Sequence, residues 1–174
     1  LAREAGVAMP ETLAITQADF FRAAEREEWR YPLVVKGVFH DARIARNRDE
    51  AEQAFRAIAA EWGLPVLVQR RIVGEECNLA GIGDGRGALL GEVMMKKRAV
   101  TGRGKAWAGI SIHDEALSDI SRRLVAALKW RGPIEVEMIR DSQGEYQLIE
   151  INPRFPAWIY LSQGVGRNLP DLLL

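Results

Sequence analysis

Hydrophobic and polar residues alternate along this chain with two periods, one typical of helices and the other of strands. Apolar positions repeat every three or four residues in three segments, which predicts amphipathic helices at residues 17–30, 49–62 and 114–130. Shorter apolar or alternating runs predict strands at residues 33–35, 43–46, 66–68, 76–82, 88–95, 134–140 and 145–151. Because most of these strands are joined by short connections, we expect mainly antiparallel sheets and the α+β fold class.

Glycine, proline and polar residues divide these segments into two expected lobes. Residues 31–72 would form a small lobe and residues 73–174 a larger one, which residues 1–30 would join as entry helices. Residues 101–109 are polar and rich in glycine, so a loop is predicted there. The chain does not begin with Met and ends on three leucines with nothing to cover them, so we expect a fragment of a longer protein.

Composition and charge narrow the class of protein. Hydrophobic residues make up 48% of the 174 positions, enough for one domain with a sizeable core or for two small lobes. Lys plus Arg and Asp plus Glu both number 24, so no basic excess indicates a nucleic-acid partner. No apolar run approaches the ~20 residues of a membrane helix. The single cysteine, Cys77, excludes an internal disulfide and is interpreted as a small apolar strand residue, and so few cysteines are typical of a cytoplasmic protein.

The last predicted hairpin carries carboxylates on both of its strands. Glu135 and Glu137 alternate with apolar residues on the first strand, and on the second strand Leu148 and Glu150 are expected to share a face. Facing carboxylates repel each other unless a cation lies between them. Carboxylate and amide oxygens suit Mg²⁺, with Mn²⁺ as a second choice, and Asn152 would add a third ligand on the side of Glu150.

Arg154 follows Asn152 by two positions, so its guanidinium would reach the same side and fork onto a phosphate or a carboxylate. The alternative is that these charged residues lie on a solvated sheet face, since charged residues are mostly exposed. The metal site is favoured because an Asn-Pro-Arg run directly after a buried strand has no packing rationale.

The run Leu-Ile-Glu-Ile-Asn-Pro-Arg at residues 148–154 resembles the signature of the ATP-grasp superfamily, especially its carbamoyl-phosphate synthase and biotin carboxylase branch. Four further segments resemble that family in order and spacing, namely residues 5–12, 31–36, 68–76 and 164–170. The resemblance implies two α+β lobes with mainly antiparallel sheets that clamp a nucleotide between them. It covers nearly the whole chain, and the family's preceding substrate domain would lie before Leu1.

The resemblance also implies which residues bind ATP. Lys36 would contact the phosphates from the small lobe, and Glu76 would hydrogen-bond the ribose hydroxyls. The adenine slot would be lined, partly through backbone groups, by Gln69, Arg70 and Ile72. One or two magnesium ions would be held by the three residues named above, Glu137, Glu150 and Asn152.

Arg154 would then stabilise the transferring phosphoryl group or an acyl phosphate. The chain departs from the family at residues 37–43, which are short and contain one glycine where a flexible phosphate loop is usual. Residues 101–105 could cover the phosphates instead, with Lys97 or Arg98 entering the site. We count Lys97 with Arg154 among the catalytic candidates, against the alternative that such basic residues are solvated.

The activity that the resemblance implies is a ligation driven by ATP. A small-molecule carboxylate would be phosphorylated to an acyl phosphate, which an amine or thiol acceptor would attack. The alternative is a regulatory or degenerate nucleotide-binding module without ligase activity. Residues 155–160 could line the acceptor pocket, although packing of Trp158 and Tyr160 in the core is favoured. We expect no nucleic acid or membrane partner, and a homodimer is left open.

Overall fold

The computed structural model describes residues 2–17, 30–39, 41–101 and 106–173. Contacts divide the chain into two compact units, Pro10–Ile72 and a larger unit that combines Leu1–Met9 with Val73–Leu174. The helix predicted at residues 17–30 lies almost entirely outside the described residues, as do residues 102–105 of the segment expected to cover the phosphates. Two antiparallel sheets with few helices confirm the α+β fold class.

The smaller unit contains a four-stranded antiparallel sheet of order β1-β4-β2-β3. Its strands are β1 (Thr12–Ile15), β2 (Leu33–Gly37), β3 (Ala42–Ala45) and β4 (Val66–Arg70). Helix α1 (Arg48–Trp62) packs its buried residues Ala51, Ala54, Phe55 and Ile58 against the apolar face of this sheet. The helix starts at Asn47, whose side-chain oxygen accepts a hydrogen bond from the backbone N–H of Glu50 at 2.9 Å.

Strand β1 belongs to the smaller sheet, although the sequence placed residues 1–30 with the larger lobe. Thr12 pairs with Gln69 of β4, and Ile15 is buried in the core beneath α1. The residues before Pro10 belong to the larger unit, where Val7 is buried and the Ala8 carbonyl accepts from the Leu148 N–H at 2.8 Å. The hydrophobic pattern assigned no strand to these four residues, whose place in the smaller sheet follows from their pairing with β4.

The larger unit contains a five-stranded antiparallel sheet of order β7-β6-β5-β8-β9. Its strands are β5 (Gly74–Asp84), β6 (Leu89–Val100), β7 (Ala106–Ile112), β8 (Arg131–Asp141) and β9 (Tyr146–Asn152). Helix α2 (Glu115–Leu128) covers one face and buries Leu117, Leu124 and Val125 against Leu79 and Val136. No helix in the described ranges is long and apolar enough to cross a membrane.

The opposite face of this sheet is apolar at one end only. There Ala80, Ile82 and Val93 pack with Leu169, which lies in a 3₁₀ helix (Leu169–Leu173) after the short helix α3 (Leu161–Gly164). Trp158 packs on this cluster, as predicted, whereas the prediction that Tyr160 packs in the core is wrong because its surface is 80% exposed. Beyond this cluster the face carries charged and amide side chains together with buried Met95, which pairs with Asn78.

The prediction of a loop at residues 101–109 is wrong for residues 106–109. They belong to β7 (Ala106–Ile112), which forms the edge of the sheet beside β6. Most of its side chains are exposed, and Trp107 is 80% exposed. A strand with one paired edge and two largely open faces needs no alternation of apolar and polar residues. The hydrophobic pattern therefore carried no signal for it.

A β-bulge in β9 overturns one of the predicted faces. Glu137 pairs with Glu150 and Met138 pairs with Leu148, so Ile149 is an extra residue between the two pairs. The bulge turns Leu148 into the core with Met138, whereas Glu150 stays on the opposite face beside Glu137. The prediction that Leu148 and Glu150 share a face is therefore wrong, although the facing of the two glutamates is confirmed.

Asp114 links α2 to the strand that carries Glu150. One of its carboxylate oxygens accepts from the Leu117 N–H at 3.1 Å and caps the helix, and the other accepts from the Tyr146 hydroxyl at 2.9 Å. We expect Asp114→Ala to lower the free energy of unfolding by about 2 kcal/mol, since a lost cap costs about 1 kcal/mol and a buried hydroxyl loses a partner. Urea denaturation will measure this. Tyr146→Phe keeps the cap, so a loss as large as that of Asp114→Ala would contradict the assignment.

The hydrogen bonds of Asp114 also predict that the stability of the fold depends on pH. Burial alone would raise the pKa of Asp114, but hydrogen bonds from the Leu117 N–H and the Tyr146 hydroxyl outweigh it and lower the pKa below the usual 3.8. A lowered pKa means that the stabilisation is present above pH 3.8 and is lost as the pH falls through the folded-state value.

Candidate functional site

The face of the larger sheet opposite α2 carries a group of charged and amide side chains, which we call the polar face. Side chains two apart on a strand share a face, and four neighbouring strands contribute to this group. Register places Asn78 of β5 opposite Glu137 of β8, and Glu137 opposite Glu150 of β9. The members of the polar face are Glu76, Asn78, Lys97, Glu135, Glu137, Glu150 and Asn152.

Glu137 and Glu150 face each other across β8 and β9. Glu150 is exposed, and 24% of the Glu137 side-chain surface is accessible. The Asn152 amide nitrogen donates to Glu137 Oε1 at 3.0 Å and to Glu135 Oε2 at 3.3 Å. The three predicted metal ligands are thus brought together, with Asn152 directly beside Glu137.

Lys97 lies between Glu76, a predicted ribose contact, and Glu137, a predicted metal ligand. Its Nζ donates to Glu76 Oε2 at 2.8 Å and to Glu137 Oε2 at 3.2 Å, and only 7% of its side-chain surface is exposed. Burial alone would lower the pKa of Lys97, but the carboxylates of Glu137 and Glu76 outweigh burial and raise it. The ammonium is therefore charged at neutral pH.

Glu135 is the most buried carboxylate of the polar face, with 3% of its surface exposed. Its Oε1 accepts from Asn78 Nδ2 at 3.0 Å and from Trp158 Nε1 at 3.1 Å. Its Oε2 accepts from Asn152 Nδ2 and from Arg154 Nη1, each at 3.3 Å. Arg154 keeps 57% of its side-chain surface exposed, so its guanidinium is tethered at one nitrogen and remains accessible to a ligand.

The predicted nucleotide residues of the smaller unit divide between its two sheet faces. Lys36 and Gln69 share the face opposite α1, since Gln69 pairs with Val34, two residues before Lys36. Gln69 is buried, and its amide nitrogen donates to Thr12 Oγ1 at 2.8 Å. Arg70 pairs with Leu33 and therefore belongs to the other face. Ile72 follows β4 and is half-buried.

Comparison with known proteins identifies the family. Residues 2–157 match the sequence profile described as an ATP-grasp domain. This chain belongs to the ATP-grasp family. The family predicted from residues 148–154 is thereby confirmed. The carbamoyl phosphate synthase large chain of Clostridium beijerinckii is 26% identical over 161 residues, which cover 85% of this chain and 15% of that protein.

Two solved structures share the ATP-grasp fold with this chain. A biotin carboxylase from Campylobacter jejuni, solved as a β,γ-ATP complex, aligns with a TM-score of 0.83 and 20% identity over 99% of this chain and 43% of that one. A D-alanine–D-alanine ligase from Bacillus anthracis, complexed with ATP, aligns with a TM-score of 0.77 and 21% identity over 99% of this chain and 58% of that one. The chain thus spans a minor part of the curated relative and about half of each structure.

The donor set of this ATP-grasp domain fits magnesium. Within the described ranges, no group of three or more His, Cys, Asp or Glu side chains is arranged to hold a metal ion. Glu137, Glu150 and Asn152 offer two carboxylates and an amide oxygen, which are hard ligands too few to enclose an ion. Mg²⁺ commonly takes one or two carboxylates and completes its shell with water and phosphate oxygens. An ion at this position would therefore need such further ligands.

Two residues of the polar face, Glu135 and Asn78, received no functional role in the sequence prediction, although they hydrogen-bond each other in the structure. Glu135 was recognised as lying on the face of Glu137 but was given no role, and Asn78 was not considered. A signal for both existed, because Asn78 interrupts an otherwise apolar strand at residues 77–82 and Glu135 lies between Ile134 and Val136. Buried polar residues need hydrogen-bond partners, so each implied a second polar group nearby.

Proposed function

We propose that this chain binds Mg-ATP and forms part of a ligase that activates a carboxylate as an acyl phosphate for attack by an amine or a thiol. The observation that supports this most directly is the facing pair Glu137 and Glu150. Lys97 and Asn152 both donate to Glu137, and Arg154 donates to the neighbouring Glu135. The two structural relatives described above were solved with ATP or an analogue, which supports the choice of nucleotide.

Five residues of the polar face have a task in this proposal, together with Arg154. Glu137, Glu150 and Asn152 would hold one or two magnesium ions, which neutralise charge on the phosphates when bound. Lys97 holds Glu76 and Glu137 in place and carries a positive charge at the site. Glu76 accepts from the ribose hydroxyls, and Arg154 presents its exposed guanidinium to the transferring phosphoryl group or the acyl phosphate.

The smaller unit supplies the remaining nucleotide contacts in this proposal. Lys36 contacts the phosphates, and backbone groups near Gln69, Arg70 and Ile72 line the adenine slot. Phosphoryl transfer depends on positioning and charge neutralisation and needs no side-chain nucleophile. The free thiol of Cys77 fits this, because it is buried and its pKa is raised by burial, so it remains protonated.

Two measurements on the full-length protein test the proposal in sequence. Isothermal titration calorimetry should show ATP binding that depends on Mg²⁺ and is supported by Mn²⁺. ADP release should then rise when pooled amino acids and other small carboxylates are added with an amine or thiol acceptor. ATP binding without stimulation by any carboxylate would favour the regulatory or degenerate module, and absence of ATP binding would contradict both functions.

A further inference from the structure

The two oxygens of the Glu135 carboxylate have different kinds of partner. Oε1 accepts from Asn78, which is 2% exposed in the central strand β5, and from Trp158, which packs on the apolar cluster beneath α3. Neither donor belongs to the residues proposed to contact ATP or metal. This oxygen therefore anchors the carboxylate to the rigid part of the sheet.

The other oxygen, Oε2, accepts from two residues that do belong to the proposed site. Asn152 Nδ2 and Arg154 Nη1 both donate to it at 3.3 Å, so one carboxylate oxygen contacts both a proposed metal ligand and a proposed phosphate contact. A carboxylate can only accept hydrogen bonds. The Asn152 amide must therefore turn its nitrogen towards Glu135 and Glu137, which leaves its Oδ1 as the amide atom that can ligate a metal.

We propose that Glu135 is a positioning residue that orients the Asn152 amide oxygen and the Arg154 guanidinium for Mg-ATP. This inference rests on the proposed function, because it assigns Glu135 a role only through those two residues. Glu135 is too buried to touch the nucleotide itself. A charged side chain is costly to bury, and packing beside Ala80, the cross-strand neighbour of Glu135, would be served equally well by a neutral one.

Glu135→Gln in the full-length protein tests the proposal. The amide has one acceptor oxygen, so whichever way it turns, its NH₂ group faces N–H donors on one side. We expect the Mg²⁺ concentration that half-saturates ATP binding to rise by about tenfold, which is the lower end of the effect of removing a partner of a metal ligand. The measurement is fluorescence of a bound ATP analogue during a Mg²⁺ titration. Single-turnover phosphoryl transfer should slow as well.

Glu92→Gln is the matched control. Glu92 lies on the opposite face of the same sheet, where its Oε1 accepts from Ser118 Oγ at 2.7 Å and lies 3.5 Å from Arg122 Nη2. This variant should leave the Mg²⁺ requirement unchanged, even where it lowers the thermal midpoint as much as Glu135→Gln does. Equal shifts of the Mg²⁺ requirement in the two variants would overturn the proposal in favour of a merely structural role.

Trp158→Phe is a second variant for the same measurement, for use if Glu135→Gln does not fold. It removes one donor to Oε1 and keeps the charge, so it should raise the Mg²⁺ requirement less and in the same direction. A requirement that stays unchanged in every folded variant overturns the inference while the proposed function stands. A wild-type protein that binds ATP without regard to Mg²⁺ overturns both.

Discussion

Glu150→Gln is expected to lower the magnesium-dependent affinity for ATP by at least tenfold, about 1.4 kcal/mol, and to leave the fold intact. The substitution removes one of the two facing carboxylates and keeps the shape of the side chain. An amide oxygen is a weaker ligand for a hard cation than a carboxylate, so the ion would retain a single charged protein ligand, Glu137. Glu150 is exposed, and an isosteric amide should be tolerated there.

Calorimetric titration of ATP with and without Mg²⁺ measures this effect. Glu145→Gln removes the same charge from an exposed position at the turn end of the same hairpin, and it should leave both affinities unchanged. If Glu150→Gln retains the full Mg²⁺ dependence, Glu150 is not a metal ligand. If Glu145→Gln weakens binding equally, the effect comes from the overall charge of the hairpin and not from coordination.

The sequence predicted the carboxylate pair because its two strands are joined by a short turn. Residues 141–144 fix the connection, and alternation then brings Glu137 and Glu150 to one face. The prediction failed two residues before Glu150, at Leu148, because alternation assumes an unbulged strand. Ile149 is β-branched and apolar, so it suits a regular strand and a bulge equally well. Such an insertion shows only in the pairing register.

The hydrogen bonds of Glu135 and the ion pairs of Lys97 could not be predicted from the hydrophobic pattern, for a different reason. Asn78 and Glu135 are 57 positions apart, and their contact depends on β5 and β8 being neighbours in the sheet. Strand order is not encoded in the period of a single strand. Lys97 was placed near the site by resemblance, whereas its pairing with Glu76 follows from the adjacency of β5 and β6.

The buried amide of Asn78 is incompletely hydrogen-bonded, which indicates why this residue is polar. Its nitrogen must face Glu135, because the carboxylate offers only acceptors, and its buried Oδ1 then has no hydrogen-bond partner within the described part of the chain. Evolution of a sheet for packing alone would favour an apolar residue at such a position. Asn78 is therefore better explained by the need to hold Glu135 than by the stability of β5.

Lys97→Met is expected to slow phosphoryl transfer at least a hundredfold and to lower the free energy of unfolding by about 2 kcal/mol. Methionine keeps the apolar stem but removes the ammonium from between Glu76 and Glu137. Hydrogen bonds to charged groups contribute roughly 1.5–3 kcal/mol, and the partly exposed carboxylates keep the cost below that of a fully buried pair. Loss of one positive group aimed at transition-state charge typically costs about 10²–10³ in rate.

The two effects should separate when magnesium is added. Without Lys97, Glu76 and Glu137 repel each other, so Mg²⁺ with ATP should restore much of the lost stability, whereas it cannot restore the rate. Lys96→Met is the matched control, because the neighbouring Lys96 pairs with exposed Glu75 at the surface and should matter little to either measurement. Urea denaturation and rapid-quench kinetics measure the two quantities. Equal losses of rate in the two variants would mean that Lys97 acts only as a structural ion pair, because its separate effect on phosphoryl transfer would then be absent.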